Sequence, residues 1–220
     1  MKPLVIFGCG DIGQLAHFYF TTDSTRVPVA FTVDAAFKLS DEFCGLPVVA
    51  FEEVAQKFPP ATHDLFVAVS YNQLNKLRAA KVAEARAKGY ALATYCSSHA
   101  TVLTREPIGE NCFILEDNTI QPFVKIGRNV TLWSGNHIGH HATIEDDCFI
   151  TSHVVISGGV RVAPRCFIGV NATLRDHITI GESSVIGAGA VIMRDIAPHS
   201  LYKATATEVS PIPSHKLKHL

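Results

Sequence analysis

Aliphatic side chains recur at every sixth position through the second half of the chain. They stand at Ile108, Ile114, Ile120, Ile126, Leu132, Ile138, Ile144, Ile150, Ile156, Val162, Ile168, Leu174, Ile180, Ile186 and Ile192. Such a period is not helical, because six is no multiple of ~3.6. Four positions after each aliphatic the residue is mostly small or β-branched, as at Cys112, Val124, Ala142, Val154, Cys166 and Ala190. Glycine directly follows the aliphatic at 109, 127, 139, 169, 181 and 187, which suits a backbone that must turn tightly. A large inward aliphatic, a turn and a small inward residue make one side of a triangular coil. Three such units make one 18-residue turn of a parallel β-helix, so residues 108–197 hold five turns. At ~4.8 Å per strand the prism is roughly 24 Å tall. Each coil covers its aliphatics only by stacking on its neighbours.

The first half alternates differently. Apolar runs predict strands over 3–7, 27–33, 47–49, 65–69 and 91–95, and amphipathic stretches predict helices over 11–20, 51–58 and 72–88, the last ended by Gly89. This order is that of a small parallel sheet with helices on its faces. The expected organisation is therefore an α/β Rossmann-like half domain over 1–97 and a connection over 98–107. An all-β parallel helix follows over 108–197, then a tail over 198–220.

Gly8-Cys9-Gly10-Asp11-Ile12-Gly13 follows the first predicted strand and opens the first helix, with Asp34 at the end of the second strand. Glycines let a ligand's phosphates approach, and a helix start supplies unpaired N–H groups. The same residues also suit a tight structural turn. A complete dinucleotide fold needs two such halves and only one fits here, which argues against NAD.

Composition narrows the class. The residues are 47% apolar and 18% charged, with a formal net charge of −1, so nothing points to disorder, nucleic acid or an anionic membrane. No apolar run approaches the ~20 residues that span a bilayer. The N-terminus reads as a strand and turn, not a signal peptide, so the expected compartment is the cytoplasm. None of the six cysteines forms C-x-x-C, and all six fit small buried side chains in a reducing compartment.

The whole chain resembles the bacterial sugar acyltransferases of the sialic-acid O-acetyltransferase and UDP-4-amino-sugar N-acetyltransferase type. The stretches that carry the resemblance are VIFGCGDIG, FTVDAAF, GLPVVAFEEVA, FVAVSYNQLNKLR, the hexads and CFIGVNATL. The resemblance implies a left-handed β-helix, acetyl-CoA as co-substrate, a homotrimer and no metal. It also implies a nucleotide-linked sugar held by Gly8, Gly10, Asp11, Asp34 and the Ser70-Tyr71-Asn72 loop. The implied activity is N-acetylation of an amino sugar in surface-polysaccharide or lipopolysaccharide synthesis, with O-acetylation of a sialic acid or related sugar as the alternative. The sequence departs from the family at Asp11-Ile12, where Gly-His is common, and near Ser70-Tyr71, where Gly-Asp or Gly-Asn is common.

Three histidines cluster between Trp133 and Ile144. His137 takes the outward phase of its strand, where it is a candidate substrate contact, and His140 and His141 fall in the turn that follows. Acyl transfer from a thioester needs a base with a pKa near neutrality and a donor for the oxyanion. Eighteen residues after His140, one coil away, stands Gly158. The resemblance makes His140 the base and Gly158 the glycine whose N–H meets the acetyl carbonyl. It runs acetyl-CoA past Gly158, Gly169 and Asn171 at a subunit boundary. Lys203, Lys216 and Lys218 offer cations for its phosphates or form a solvated basic tail, and Lys203-Ala-Thr-Ala206 replaces the family's usual Gly-x-Pro-Ala. His141 stands where the family has an acidic residue, and together with His137 it is the reserve candidate for the base. Two other readings compete. His137, His140, His141 and His153 could ligate zinc in a β-helix hydratase, or the coil could be a non-catalytic scaffold.

Overall fold

The computed structural model describes residues 2–216. Its first half is a five-stranded sheet. The chain runs through β1 (Leu4–Phe7), α1 (Asp11–Thr22), β2 (Pro28–Val33), β3 (Glu42–Phe43), β4 (Leu46–Ala50), α2 (Val54–Lys57), β5 (Asp64–Val67) and α3 (Lys76–Ala87). The strand order is β3-β4-β2-β1-β5, parallel except for the β3–β4 hairpin. Alternation along β1 assigns the two faces. Leu4 and Ile6 pack with Phe20, Phe31 and Phe66, while Val5 and Phe7 pack with Phe51, Val54 and Val82.

Several predicted bounds move. The helix expected over 51–58 is only Val54–Lys57. The helix expected over 72–88 starts at Lys76, because Gln73, Leu74 and Asn75 all take left-handed φ values of 53°, 52° and 63°. The strand expected over 91–95 makes a single bridge, Leu65 to Leu92, and Tyr95–Cys96 already pairs with Phe113–Ile114 of the coil.

The second half is a left-handed parallel β-helix. Its rungs are two-residue strands whose second residue points inward, and each pairs with the strand 18 positions on, as Thr131↔Phe149 and His137↔Val155 do. Three sheets of seven, six and four strands form the prism faces. The coil exceeds the hexad run at both ends. Tyr95–Cys96 and Thr101–Val102 are rungs ahead of Ile108, and Leu201–Tyr202 pairs with Val185–Ile186. The segment 98–107 is therefore part of the coil, and so is the start of the expected tail. Among the described residues no helix is long and apolar enough to cross a membrane.

The corners correct the reading of the glycines. The left-handed residue stands three positions after the aliphatic, at Asn111, Asp117, Phe123, Asn129, Gly135, His141, Asp147, His153, Gly159, Arg165, Asn171, His177, Ser183 and Gly189. Asn, Asp, His and Gly tolerate that conformation best. The glycine directly after the aliphatic has no positive φ. It serves close approach instead: a Cβ on Gly139 would stand 2.6 Å from the Gly158 nitrogen of the next coil.

The two halves interlock. Arg78 of α3 is buried, 2% exposed, against a coil corner. Its guanidinium donates to Thr131 Oγ1 and to the carbonyls of Asn129 (3.0 Å) and Cys148 (3.1 Å), and lies 5.4 Å from the Phe149 ring centre. Burial pushes its pKa down to about 10. Asn111 bridges to β5, accepting the Val67 N–H (2.8 Å) and donating to the Val67 carbonyl (3.2 Å). Asp23, just past α1, accepts from Tyr95 Oη (2.7 Å), Ser97 Oγ (3.0 Å) and the Ser98 N–H (2.9 Å), which holds its carboxyl well below the usual carboxylate range. Removing the Arg78 fork takes its donors from the buried Asn129 carbonyl and Thr131 hydroxyl and opens a void. Arg78→Ala therefore lowers the unfolding free energy by about 3 kcal/mol in urea titration; a loss within about 0.5 kcal/mol would show that the clamp carries nothing.

Candidate functional site

His140 and His141 occupy the corner where the six-stranded face turns into the four-stranded one, and both are exposed. The corner is fixed from below. The His140 N–H donates to Gln121 Oε1 (2.8 Å), the His141 N–H donates to the Pro122 carbonyl (3.2 Å), and the His141 ring lies over Phe123 at 4.7 Å. The two imidazoles meet Nδ1 to Nδ1 at 3.1 Å. One nitrogen must donate and the other accept. When His140 donates, its Nε2 keeps a bare lone pair, the form a general base needs.

That end of the His140 ring rests on Gly158. A Cβ at 158 would stand 2.7 Å from His140 Cε1 and 2.8 Å from Nε2. Among the described residues no acceptor takes the Gly158 N–H, while its carbonyl accepts from the His177 N–H (2.9 Å). A free N–H thus lies beside an imidazole. His177 repeats the motif one residue on, its Nδ1 2.3 Å from where a Gly159 Cβ would stand. The hexad pattern does not mark His177. Its signal is the left-handed corner slot it shares with His141, two coils below. His153 sits at another corner, against Gly135. The described residues bring together no group of three or more His, Cys, Asp or Glu that could hold a metal ion.

A second centre lies between the halves. Gly8, at φ 118°, is pressed so close to β5 that a Cβ would stand 2.5 Å from the Ala68 carbonyl oxygen. Gly10 precedes α1 in extended conformation, nothing lies within 4 Å of where its Cβ would be, and no side chain caps the helix. The first-turn N–H groups of α1 have no helical partner, so they can meet an anion. They open on a cleft of about 700 Å³ lined by Gly8, Gly10, Asp11 and the Ser70-Tyr71-Asn72 loop on one side. Trp133, Phe149, Thr151, Ser152 and Val170 of the coil line the other. A smaller cavity, about 500 Å³, lies on the β2 side of Gly10 among Cys9, Val33, Phe37, Leu39, Glu42 and Phe43. Gly10 borders both.

Six of the expected acceptor residues therefore converge on one cleft. Asp34 is not among its lining residues and instead forms an ion pair with Lys81 (2.8 Å). Gly169 and Asn171 flank Val170 at the cleft edge of the prism, whereas Gly158 stands at the histidine edge. His137 lies on the six-stranded face between those edges. The coil wall of the cleft, Trp133, Phe149, Thr151 and Ser152, has no mark in the hexad rule, which leaves outward positions free. Its signal is the aromatic column Tyr95, Phe113, Phe149 and Phe167 at outward positions of the seven-stranded face. Lys203 and Lys216 are exposed, and Lys218 lies outside the described residues.

Comparison with known proteins agrees with this architecture. The profile of the bacterial transferase hexapeptide (six repeats) matches residues 108–140 and 159–194. Galactoside O-acetyltransferase of Escherichia coli (strain K12) is 34% identical over 103 residues, a match that spans 40% of this chain and 42% of that protein. A histidine-to-asparagine variant of perosamine N-acetyltransferase from Caulobacter crescentus, in complex with CoA and GDP-perosamine, superposes with a TM-score of 0.83. It is 23% identical, with 93% of this chain and 94% of that one covered. The acetyltransferase domain of PglB from Neisseria gonorrhoeae FA1090, in complex with acetyl coenzyme A, superposes with a TM-score of 0.63 at 23% identity, covering 92% and 96%. Residues 108–140 and 159–194 of the coil thus match bacterial transferase hexapeptide repeats, and the chain as a whole is similar in fold to these sugar acetyltransferase structures.

Proposed function

We propose that the chain is an acetyl-CoA-dependent acyltransferase that acetylates an amino group of a nucleotide-linked amino sugar for glycan synthesis. The observation that carries this reading is the His140 imidazole seated on Gly158, whose N–H has no acceptor among the described residues. In this reading His140 Nε2 removes the proton from the sugar amine as its nitrogen attacks the thioester carbonyl. The Gly158 N–H meets the oxyanion as it forms, and CoA leaves as the thiolate. His141 accepts from His140 Nδ1 and so orients the base, the part a carboxylate plays in the family that the sequence resembles. The uncapped start of α1 holds the phosphates, with base and sugar in the two cavities that meet at Gly10. Compounds named in the solved relatives, CoA, acetyl coenzyme A and GDP-perosamine, belong to these classes. The match to galactoside O-acetyltransferase supports a second reading, in which the acceptor is a sugar hydroxyl.

Within one chain the cleft and the histidine corner sit on different edges of the prism, so we infer a homotrimer in which a neighbour supplies the missing edge. The six-stranded face between those edges supports this. Its outward positions are Thr101, Thr119, His137, Val155, Thr173 and Val191, with no Lys, Arg, Asp or Glu, while the four-stranded face carries Lys125 and Arg161. A strip of Thr and Val with His137 as its one ionisable side chain is the side that a second copy would cover.

Two measurements test these readings. With an amino-sugar nucleotide as acceptor, His140→Ala lowers kcat by roughly 10²–10⁴ and leaves acetyl-CoA affinity nearly unchanged, while His141→Ala costs less. Near-full turnover in His140→Ala would remove His140 from the mechanism. Light scattering at micromolar concentration gives three times the 23.8 kDa chain mass. Val155→Lys lowers that mass and the turnover together. A monomeric wild type, or a Val155→Lys trimer with full activity, would place the interface elsewhere.

A further inference from the structure

The cavity on the β2 side of Gly10 has a composition of its own. Large apolar residues stand open around it: Phe37 is 71% exposed and Leu39 98% exposed. Its floor is rigid, because Phe43 packs edge-on against Phe31 with ring centres 4.9 Å apart. Polar chemistry is sparse. Ser40 Oγ is occupied in accepting the Glu42 N–H (3.2 Å). The Cys9 thiol stays neutral, since burial and the nearby Cys44 push its pKa up to about 11. The nearest cation in sequence, Lys38, is taken by Asp41. Glu42 is the one charged residue lining this cavity, and its carboxylate forms no ion pair among the described residues.

Apolar walls with one unpaired carboxylate fit a flat, neutral ligand whose edge donates hydrogen bonds. They repel phosphate, which belongs across Gly10 at the start of α1. Bases differ in the edge they offer. Guanine alone presents two adjacent donors, N1–H and the N2 amine, which match the two oxygens of a carboxylate. Uracil and thymine offer one N3–H flanked by carbonyl lone pairs. Cytosine and adenine place a ring-nitrogen lone pair beside the amine. Resting on the reading of a nucleotide-linked acceptor, we propose that this cavity is the base subsite, that Glu42 is its specificity-determining residue, and that the acceptor is a guanosine diphosphate sugar.

Calorimetric titration of the full chain with GDP, UDP, dTDP, CDP, ADP and xanthosine diphosphate tests this, in the wild type and in Glu42→Gln. Wild type binds GDP at least tenfold more tightly than the other nucleotides. Glu42→Gln loses about tenfold to a hundredfold in GDP affinity. It gains affinity for xanthosine diphosphate, whose O2 accepts from the new amide while N1–H still meets its carbonyl. UDP or dTDP bound as tightly as GDP by the wild type would overturn the proposal, and so would unchanged GDP affinity in Glu42→Gln. Equal binding of all six overturns base reading alone and leaves a nucleotide-linked acceptor standing. No binding of any overturns both.

Discussion

Everything in this molecule depends on the 18-residue register of the coil. Two-residue strands bond to the strands above and below, and the aliphatics of successive coils pack into one continuous core from Cys112 to Ile196. No coil can bury its aliphatics alone, so the register is enforced along the whole stack. It also fixes relations between residues that are remote in sequence. His140 meets Gly158, and Asn111 bonds Asn129, which bonds Asp147, because each pair stands one coil apart. Corner side chains are thereby held by backbone stacking and not by mobile loops, which is what a preorganised base and oxyanion donor require.

The three prism faces divide the labour. The seven-stranded face carries an aromatic column and receives the α/β half, through Tyr95 and Phe113 in the shared core and Arg78 against Phe149. That docking shapes the cleft, since Trp133 and Phe149 form its far wall. The four-stranded face carries Lys125 and Arg161, and the six-stranded face has no Lys, Arg, Asp or Glu at its outward strand positions. The edges hold the left-handed corner residues, most of whose N–H groups donate to carbonyls of the preceding coil, as those of His141 to Pro122 and of Gly159 to His140 do.

Much of this was legible in the sequence, for a physical reason. A six-residue aliphatic period admits one architecture, and simple addition of 18 places Gly158 beside His140. What the hexads left open follows equally from physics. Cys96 and Val102 keep the hexad phase ahead of Ile108, but a cysteine does not announce a rung. At the other end the spacing shortens, Ile186 pairing with Tyr202 and Ile180 with Ile196, so the period stops marking the coil before the coil stops. Glycines after the aliphatics suggest turns, yet the left-handed turn residues stand two positions later and are mostly Asn, Asp, His and Gly. The start of α3 is displaced because Asn75 is buried against the Cys166 carbonyl (3.4 Å), a tertiary contact that no local propensity reports. Outward positions such as Trp133 and Phe149 gain meaning only once it is known which face the α/β half covers.

The central claim is that the contact between His140 and Gly158 is the working geometry, and Gly158→Ala tests it most directly. Gly158 has no positive φ, so alanine meets no backbone strain there, and the nearest atoms its methyl meets are those of the His140 ring. Steady-state kinetics of this variant, with acetyl-CoA saturating, should show kcat reduced by roughly 10²-fold or more, the scale of displacing a general base, with the melting temperature little changed. Turnover near the wild-type value in a folded Gly158→Ala protein would contradict the account.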